Sequence, residues 1–170
     1  MIVEGLKLFK RIKYDEFINN GCDGVSSLKK YVVNPYSNSF LEEVEPFHVS
    51  YSYVANDKLE YCLYEKYELV YRLFFEELFS LYEIIGVKLN RDTSTFIHYH
   101  NFLIFKNDLE KALREDTSLN FIIDSLGIVL NCNYDLSIVL YSYFSNAQKM
   151  EDLLLLFKKH KLYVSEELKT

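Results

Sequence analysis

The chain of 170 residues is 49% hydrophobic and 26% charged, with only 5 Gly and 2 Pro and a formal net charge of -6. At that length roughly 70% of the unfolded surface can be buried around one core, and the composition excludes a disordered, collagen-like or linker-rich chain. The expected organisation is one domain over 1–170, in which a helical N-terminal segment, 1–45, packs on an α+β body, 46–165.

From the start of the chain, Met1 to Lys10 breaks its apolar residues with Glu4, Lys7 and Lys10, unlike the apolar core of a signal peptide. Cys22, Cys62 and Cys132 are odd in number and scattered, with no C-x-x-C pair or disulfide framework. A reducing, cytoplasmic setting is therefore expected. Asp15 to Asn20, Ser26 to Val33 and Ser39 to Val44 read as short helices, and Gly21 to Gly24 and Asn34 to Asn38 as loops between them.

Phe47 to Val54 alternates Phe47, Val49, Tyr51 and Tyr53 with His48, Ser50 and Ser52, and Leu59 to Tyr64 follows after Asn56-Asp57. Alternation of this kind predicts a β-hairpin, with Val and Tyr suited to a half-buried pleated surface. Glu65 to Ile85 predicts a helix: Glu65, Glu68, Arg72, Glu76, Ser80 and Glu83 recur every three or four positions as a narrow polar stripe, and the remaining circumference is apolar. Glu68 with Arg72 and Arg72 with Glu76 are spaced for pairs along that helix, and Gly86 is placed to cap its end. The apolar window Leu69 to Val87 carries Arg72, Glu76, Glu77 and Glu83, charges costly in lipid, so a buried helix is expected there and no membrane span.

Gly86-Val87-Lys88-Leu89-Asn90 is echoed by Gly127-Ile128-Val129-Leu130-Asn131, each after an apolar stretch that could be a helix ending at the glycine. Two capping boxes, Asn107 with Glu110 and Ser145 with Gln148, predict helix starts. In the last helix Met150, Leu153, Leu154 and Phe157 form the expected buried stripe, with acids early and Lys158, Lys159, His160 and Lys161 late, as the helix dipole favours. The fold class expected is α+β: an antiparallel sheet built from three hairpin-then-helix units, beginning near Phe47, Val87 and Ile128 and covered by helices. Because Leu136, Val139, Leu140 and Tyr143 also fit helical spacing, and Phe96 to Lys106 fits either, the alternative is a mostly α fold with one hairpin.

His98-Tyr99-His100 is the one constellation inviting chemistry, since i and i+2 on a strand share a face and two imidazoles could hold a metal or act as acid and base. A third ligand is not demanded by any spacing; His48 or Asp92 could supply one, and a structural role for both histidines is the plainer reading. Cys62 and Cys132 lie in apolar, strand-like runs and read as small buried hydrophobes, with Cys22 the more exposed. No phosphate loop, dinucleotide fingerprint, H-E-x-x-H, G-x-S-x-G or zinc-finger spacing occurs, and no cofactor is expected.

From Phe40 to Glu83 ten acids face three bases, and six tyrosines fall between Tyr51 and Tyr71. An acidic, Tyr-rich surface repels nucleic acid and suits a basic protein partner, with aromatic anchors slowing release. Tyr51, Tyr53, Asp57, Glu60, Tyr61, Tyr64, Glu65 and Glu68 are the expected partner-binding residues, against the plainer reading of core rings beside a solvated acidic face. The expected function is a stoichiometric inhibitor of a basic partner such as a nuclease-type toxin, by analogy with immunity proteins and on no family motif. The alternatives are a small hydrolase or nuclease using His98 and His100 and a self-assembling structural subunit.

Overall fold

A computed structural model describes residues 29–36, 50–55, 58–89, 94–114, 116–117, 119–132, 136–142 and 147–166. In chain order these give β1 (Lys29–Asn34), a single helical turn α1 (Tyr51–Val54), α2 (Lys58–Leu81), β2 (Ile85–Leu89), β3 (Ser94–His98), α3 (Phe102–Leu113), β4 (Leu119–Ile123), a 3-10 turn (Asp124–Leu126), β5 (Ile128–Cys132), β6 (Ile138–Ser142), α4 (Ala147–Lys159) and β7 (Tyr163–Glu166). The strands form one sheet in the order β3-β2-β4-β5-β6-β1-β7, and every neighbouring pair is antiparallel. The fold is α+β, as the alternation of β-branched strands with capped helices predicts.

Two of the three expected hairpin-then-helix units are present: β2–β3 followed by α3, and β5–β6 followed by α4. The first is not. Tyr51 to Val54 and Lys58 to Leu81 are helical, so the alternating tyrosines do not form a hairpin. The reason is visible in spacing: Tyr64, Glu68, Tyr71, Phe75 and Leu78 also recur at three or four residues, and all are buried on one side of α2. A continuous helical stripe of that length outcompetes seven residues of alternation.

Further corrections follow from where helices end. Gly86 does not cap a helix; α2 stops at Leu81 and Gly86 lies within β2, where a Cβ would come 2.6 Å from Tyr99 Oη and 2.9 Å from its Cε2. The glycine is therefore required by the aromatic ring lying against the strand. Gly127 does take the left-handed conformation (φ 64°, ψ 39°), but it closes the 3-10 turn between β4 and β5 and no α-helix. α3 starts earlier than Asn107: Asn101 is its N-cap, with its side chain accepting from Leu103 N at 2.7 Å. Ser26 to Val33 does not read out as a helix, since Lys29–Asn34 is strand β1. The other expected N-terminal helices, at 15–20 and 39–44, lie outside the described residues, as do Cys22, His48 and Asp92.

The registers divide the sheet into two faces. Phe121, Ile123, Ile128, Leu130, Ile138, Leu140 and Val33 share one face, and they join Phe74, Phe75, Leu78, Phe105, Leu109, Leu153 and Phe157 from the three long helices in one apolar core. Phe75, Phe105 and Phe121 meet with ring centroids 5.2 to 5.8 Å apart, tilted or edge-on as ring quadrupoles prefer. The sheet's other face is buried too, through Val87, Ile122, Val129 and Tyr141. Within α4, Leu153 and Phe157 are buried as expected, whereas Leu154 is 39% exposed and lies off the stripe. Among the described residues no helix is long and apolar enough to cross a membrane.

α2 is the middle helix of its layer. Toward α3 it sends Tyr64, whose hydroxyl donates to Leu113 O at 2.8 Å, and Arg72, which donates to Glu110 at 3.3 Å. Toward α4 it sends Phe74, stacked on Phe157 at 4.7 Å, and Glu77, which accepts from Lys159 at 2.6 Å and meets His160 Nε2 at 2.8 Å. α4 closes with paired bonds from Leu162 N to Phe157 O and from Lys161 N to Lys158 O, and Lys161 holds a positive φ of 59° where glycine is the usual occupant.

Candidate functional site: an aromatic corner around a buried ion pair

The first turns of α2, the turn α1 and the end of α3 bring together most of the described members of the sequence-predicted set. Glu68 is 2% exposed, and its two oxygens accept from Arg114 Nε at 2.7 Å and from a second guanidinium nitrogen at 2.8 Å. This fork-to-fork geometry is the strongest form of carboxylate recognition. The hydrogen bonds to Glu68 hold the Arg114 guanidinium still more firmly protonated than usual, against the opposing effect of burial. Arg114 also lies 5.7 Å from the centroid of Tyr51, a cation–π distance.

Three rings surround the pair. Tyr51 sits 5.4 Å from Tyr64 and 6.3 Å from Tyr61, and Tyr61 stacks on Tyr64 at 6.5 Å with 14° between planes. Burial pushes the Tyr61 phenol above its ordinary pKa. Tyr64 is buried, while Tyr51 and Tyr61 are half-buried, with Glu65 exposed one turn after Tyr61.

The expectation that eight residues would form one outer surface is therefore corrected in part. Tyr64 and Glu68 are withdrawn into the protein, because on a helix positions 64 and 68 face the core together. Tyr51, Tyr61 and Glu65 are assembled at the surface; Tyr53 falls in α1 and Glu60 in the first turn of α2, and Asp57 lies outside the described residues. The pairs expected along the helix, Glu68 with Arg72 and Arg72 with Glu76, give way to Glu68 with Arg114 and Arg72 with Glu110. The acidic excess is dispersed in the same way: Glu77 is engaged by Lys159 and His160, and Glu83 lies 3.3 Å from His98 Nδ1. Glu65 and Glu76 remain as exposed carboxylates on α2.

Sequence reasoning named Glu68 but not its partner Arg114, whose position just after α3 gives no local signal. It also missed Asn120, a 2% exposed residue on the sheet face away from the helices, opposite Asn131 in the register. Among the described residues its Oδ1 and His98 Nε2 are buried polar atoms with no hydrogen-bond partner. A polar side chain within the apolar run Leu119–Ile123 reads as solvent-facing, and only the pairing of both β4 edges reveals otherwise.

His98 ends β3 and His100 lies beyond it; the rings are nearly parallel, 18° apart, with centroids 6.5 Å from one another. They share a side, as expected for i and i+2, but among the described residues no group of three His, Cys, Asp or Glu side chains could hold a metal ion. Cys62 is exposed on α2 and not buried in a strand, whereas enclosure of the Cys132 thiol on β5 pushes its pKa up to about 12. Comparison with known proteins finds no matching family model, no matching curated protein and no matching solved structure.

Proposed function

We infer that the chain is a non-catalytic binding protein that neutralises a basic partner, and that its contact surface is centred on the Tyr51, Tyr61 and Glu65 corner. The observation that supports this reading is the clamp beneath the corner: the buried Glu68–Arg114 pair fixes Tyr51 from below while Tyr64, anchored on Leu113 O, fixes the ring of Tyr61. Two half-buried, packed aromatic rings beside an exposed carboxylate offer contact area without a large ordering cost, the quality that separates strong from weak contacts of equal size. Glu65 supplies the negative charge that favours encounter with a basic surface. A partner of this chemistry is a nucleic-acid-binding or nuclease-type protein, whose substrate groove is basic and would be occluded by the corner, as an immunity protein occludes its toxin.

The test is a photo-crosslinking amino acid at position 61 in the native host, followed by titration of the captured, purified protein. The expected result is a basic protein whose affinity falls about tenfold on Glu65→Lys and weakens with added salt. A captured protein that binds Glu65→Lys as tightly as wild type, at any ionic strength, refutes the reading.

A further inference from the structure

The outward face of α2 repeats at the spacing of a coiled coil. Leu59, Cys62, Lys66, Leu69, Leu73 and Glu76 follow one another in alternating steps of three and four residues, and Ser80 extends the row. All seven are exposed, with Leu59 at 85%, Leu69 at 43% and Leu73 at 48%. The row runs about 32 Å along the helix. Steps of this kind keep side chains on one seam, the arrangement used when one helix packs on another.

The order of residues in the seam identifies what covers it. Six of the seven are symmetric about position 71: Leu69 and Leu73 stand two residues to either side, Lys66 and Glu76 five, Cys62 and Ser80 nine, while Leu59 falls level with Glu83, beyond the end of α2. A two-fold axis crossing the helix at that level sets Leu69 against the Leu73 of a second copy, and Lys66 against its Glu76, each contact occurring twice. We propose that the occupant of this face is a second copy of the same chain, packed as an antiparallel pair of α2 helices. A partner of unrelated sequence has no need of this symmetry. A stripe that includes one lysine and one glutamate is otherwise a poor seam, since each would bury a charge unless the facing helix supplies its opposite.

The flanks of the seam agree with the same axis. Val70, on the side toward α4, faces its own symmetry mate. Arg72, on the side toward α3, also approaches its mate, but each guanidinium is already turned to Glu110 within its own chain. Tyr51 and Tyr61 point to the α3 side and stay outside the seam, while Glu65, seven residues before Arg72, lies on the same flank, so the assembly carries two such corners at the edges of the seam.

Sedimentation equilibrium and charge exchange test the proposal on the full chain. Wild type should be dimeric at about 10 μM, and Lys66→Glu or Glu76→Lys alone should weaken the dimer about tenfold or more by placing like charges opposite one another. The double exchange should recover wild-type association, and an equimolar mixture of the two single variants should form a heterodimer. Ser80→Cys should yield a chain-to-chain disulfide with Cys62 on mild oxidation, because within one chain the two positions are separated by about 27 Å of helix. A monomeric wild type at about 100 μM, single reversals without effect, or a double variant no better than either single one would each overturn it.

Discussion

Replacing Arg114 by Met tests the clamp beneath the aromatic corner. The substitution keeps an unbranched stem but leaves the Glu68 carboxylate, 2% exposed, without the two donors now at 2.7 and 2.8 Å. Stranding one member of a buried pair costs about 3–5 kcal/mol, because the remaining charge has lost its water and its partner. The reverse substitution, Glu68→Leu, leaves a guanidinium that is 29% exposed and still lies over Tyr51, so it can recover water. That change should cost about 1–2 kcal/mol. The double variant should lie close to Glu68→Leu and well above Arg114→Met, giving a coupling energy of about 2 kcal/mol or more. Urea denaturation monitored by circular dichroism measures all four chains. For a chain of this size the Arg114→Met loss corresponds to a fall in Tm of about 10 °C. Equal costs for the two single substitutions, or an Arg114→Met loss under about 1 kcal/mol, would show that Glu68 is solvated in the native state and that the clamp contributes little.

Gly86→Ala should destabilise by about 2 kcal/mol, since the new methyl meets Tyr99, whose hydroxyl is tied to Asp108 at 3.0 Å and cannot swing away without losing that bond; Tyr99→Leu in the same chain should return most of the loss in urea titrations, and no rescue would place the cost in the strand backbone. Glu77 gives a pH prediction: hydrogen bonds from Lys159, then from His160, hold its carboxyl below the ordinary range. A native pKa below the unfolded value means that the stabilisation is present above about pH 4.3 and lost as pH falls through the native value. Wild type should therefore exceed Glu77→Gln in stability at neutral pH and converge with it under acid. Parallel pH profiles for the two chains would refute the network.

Much of this fold is legible in the sequence wherever one period dominates. β5, β6 and α4 follow Ile128, Ile138 and the Met150, Leu153, Phe157 row as expected, because β-branched residues outweigh the helical spacing that 136–143 also fits and one amphipathic stripe runs through 150–157. The region 47–64 reads as a hairpin, yet 51–54 and 58–64 are helical, for a physical reason. Tyrosine suits strands and buried helix faces alike, and the deciding partners, Leu113 O for Tyr64 and Val33 O for Tyr71, lie 49 and 38 residues away. β1 was hidden in the same way: Lys29–Asn34 has no hairpin partner next to it in sequence, and its pairing depends on segments more than a hundred positions later. At the corner, acidic residues could be counted but not sorted, since only helix phase decides that Glu65 meets solvent while Glu68 meets Arg114.

The place of β1 between β6 and β7 sets the order in which this chain can be finished. Tyr31, Val32 and Val33 are made before either neighbour that will hydrogen-bond them, since 138–142 and 163–166 follow more than a hundred residues later. At about 5–20 residues per second, that strand waits several seconds with both edges open. Synthesis rate and early shielding of this one apolar stretch thus become determinants of yield, and slowing translation should favour aggregation of the nascent chain over its completion.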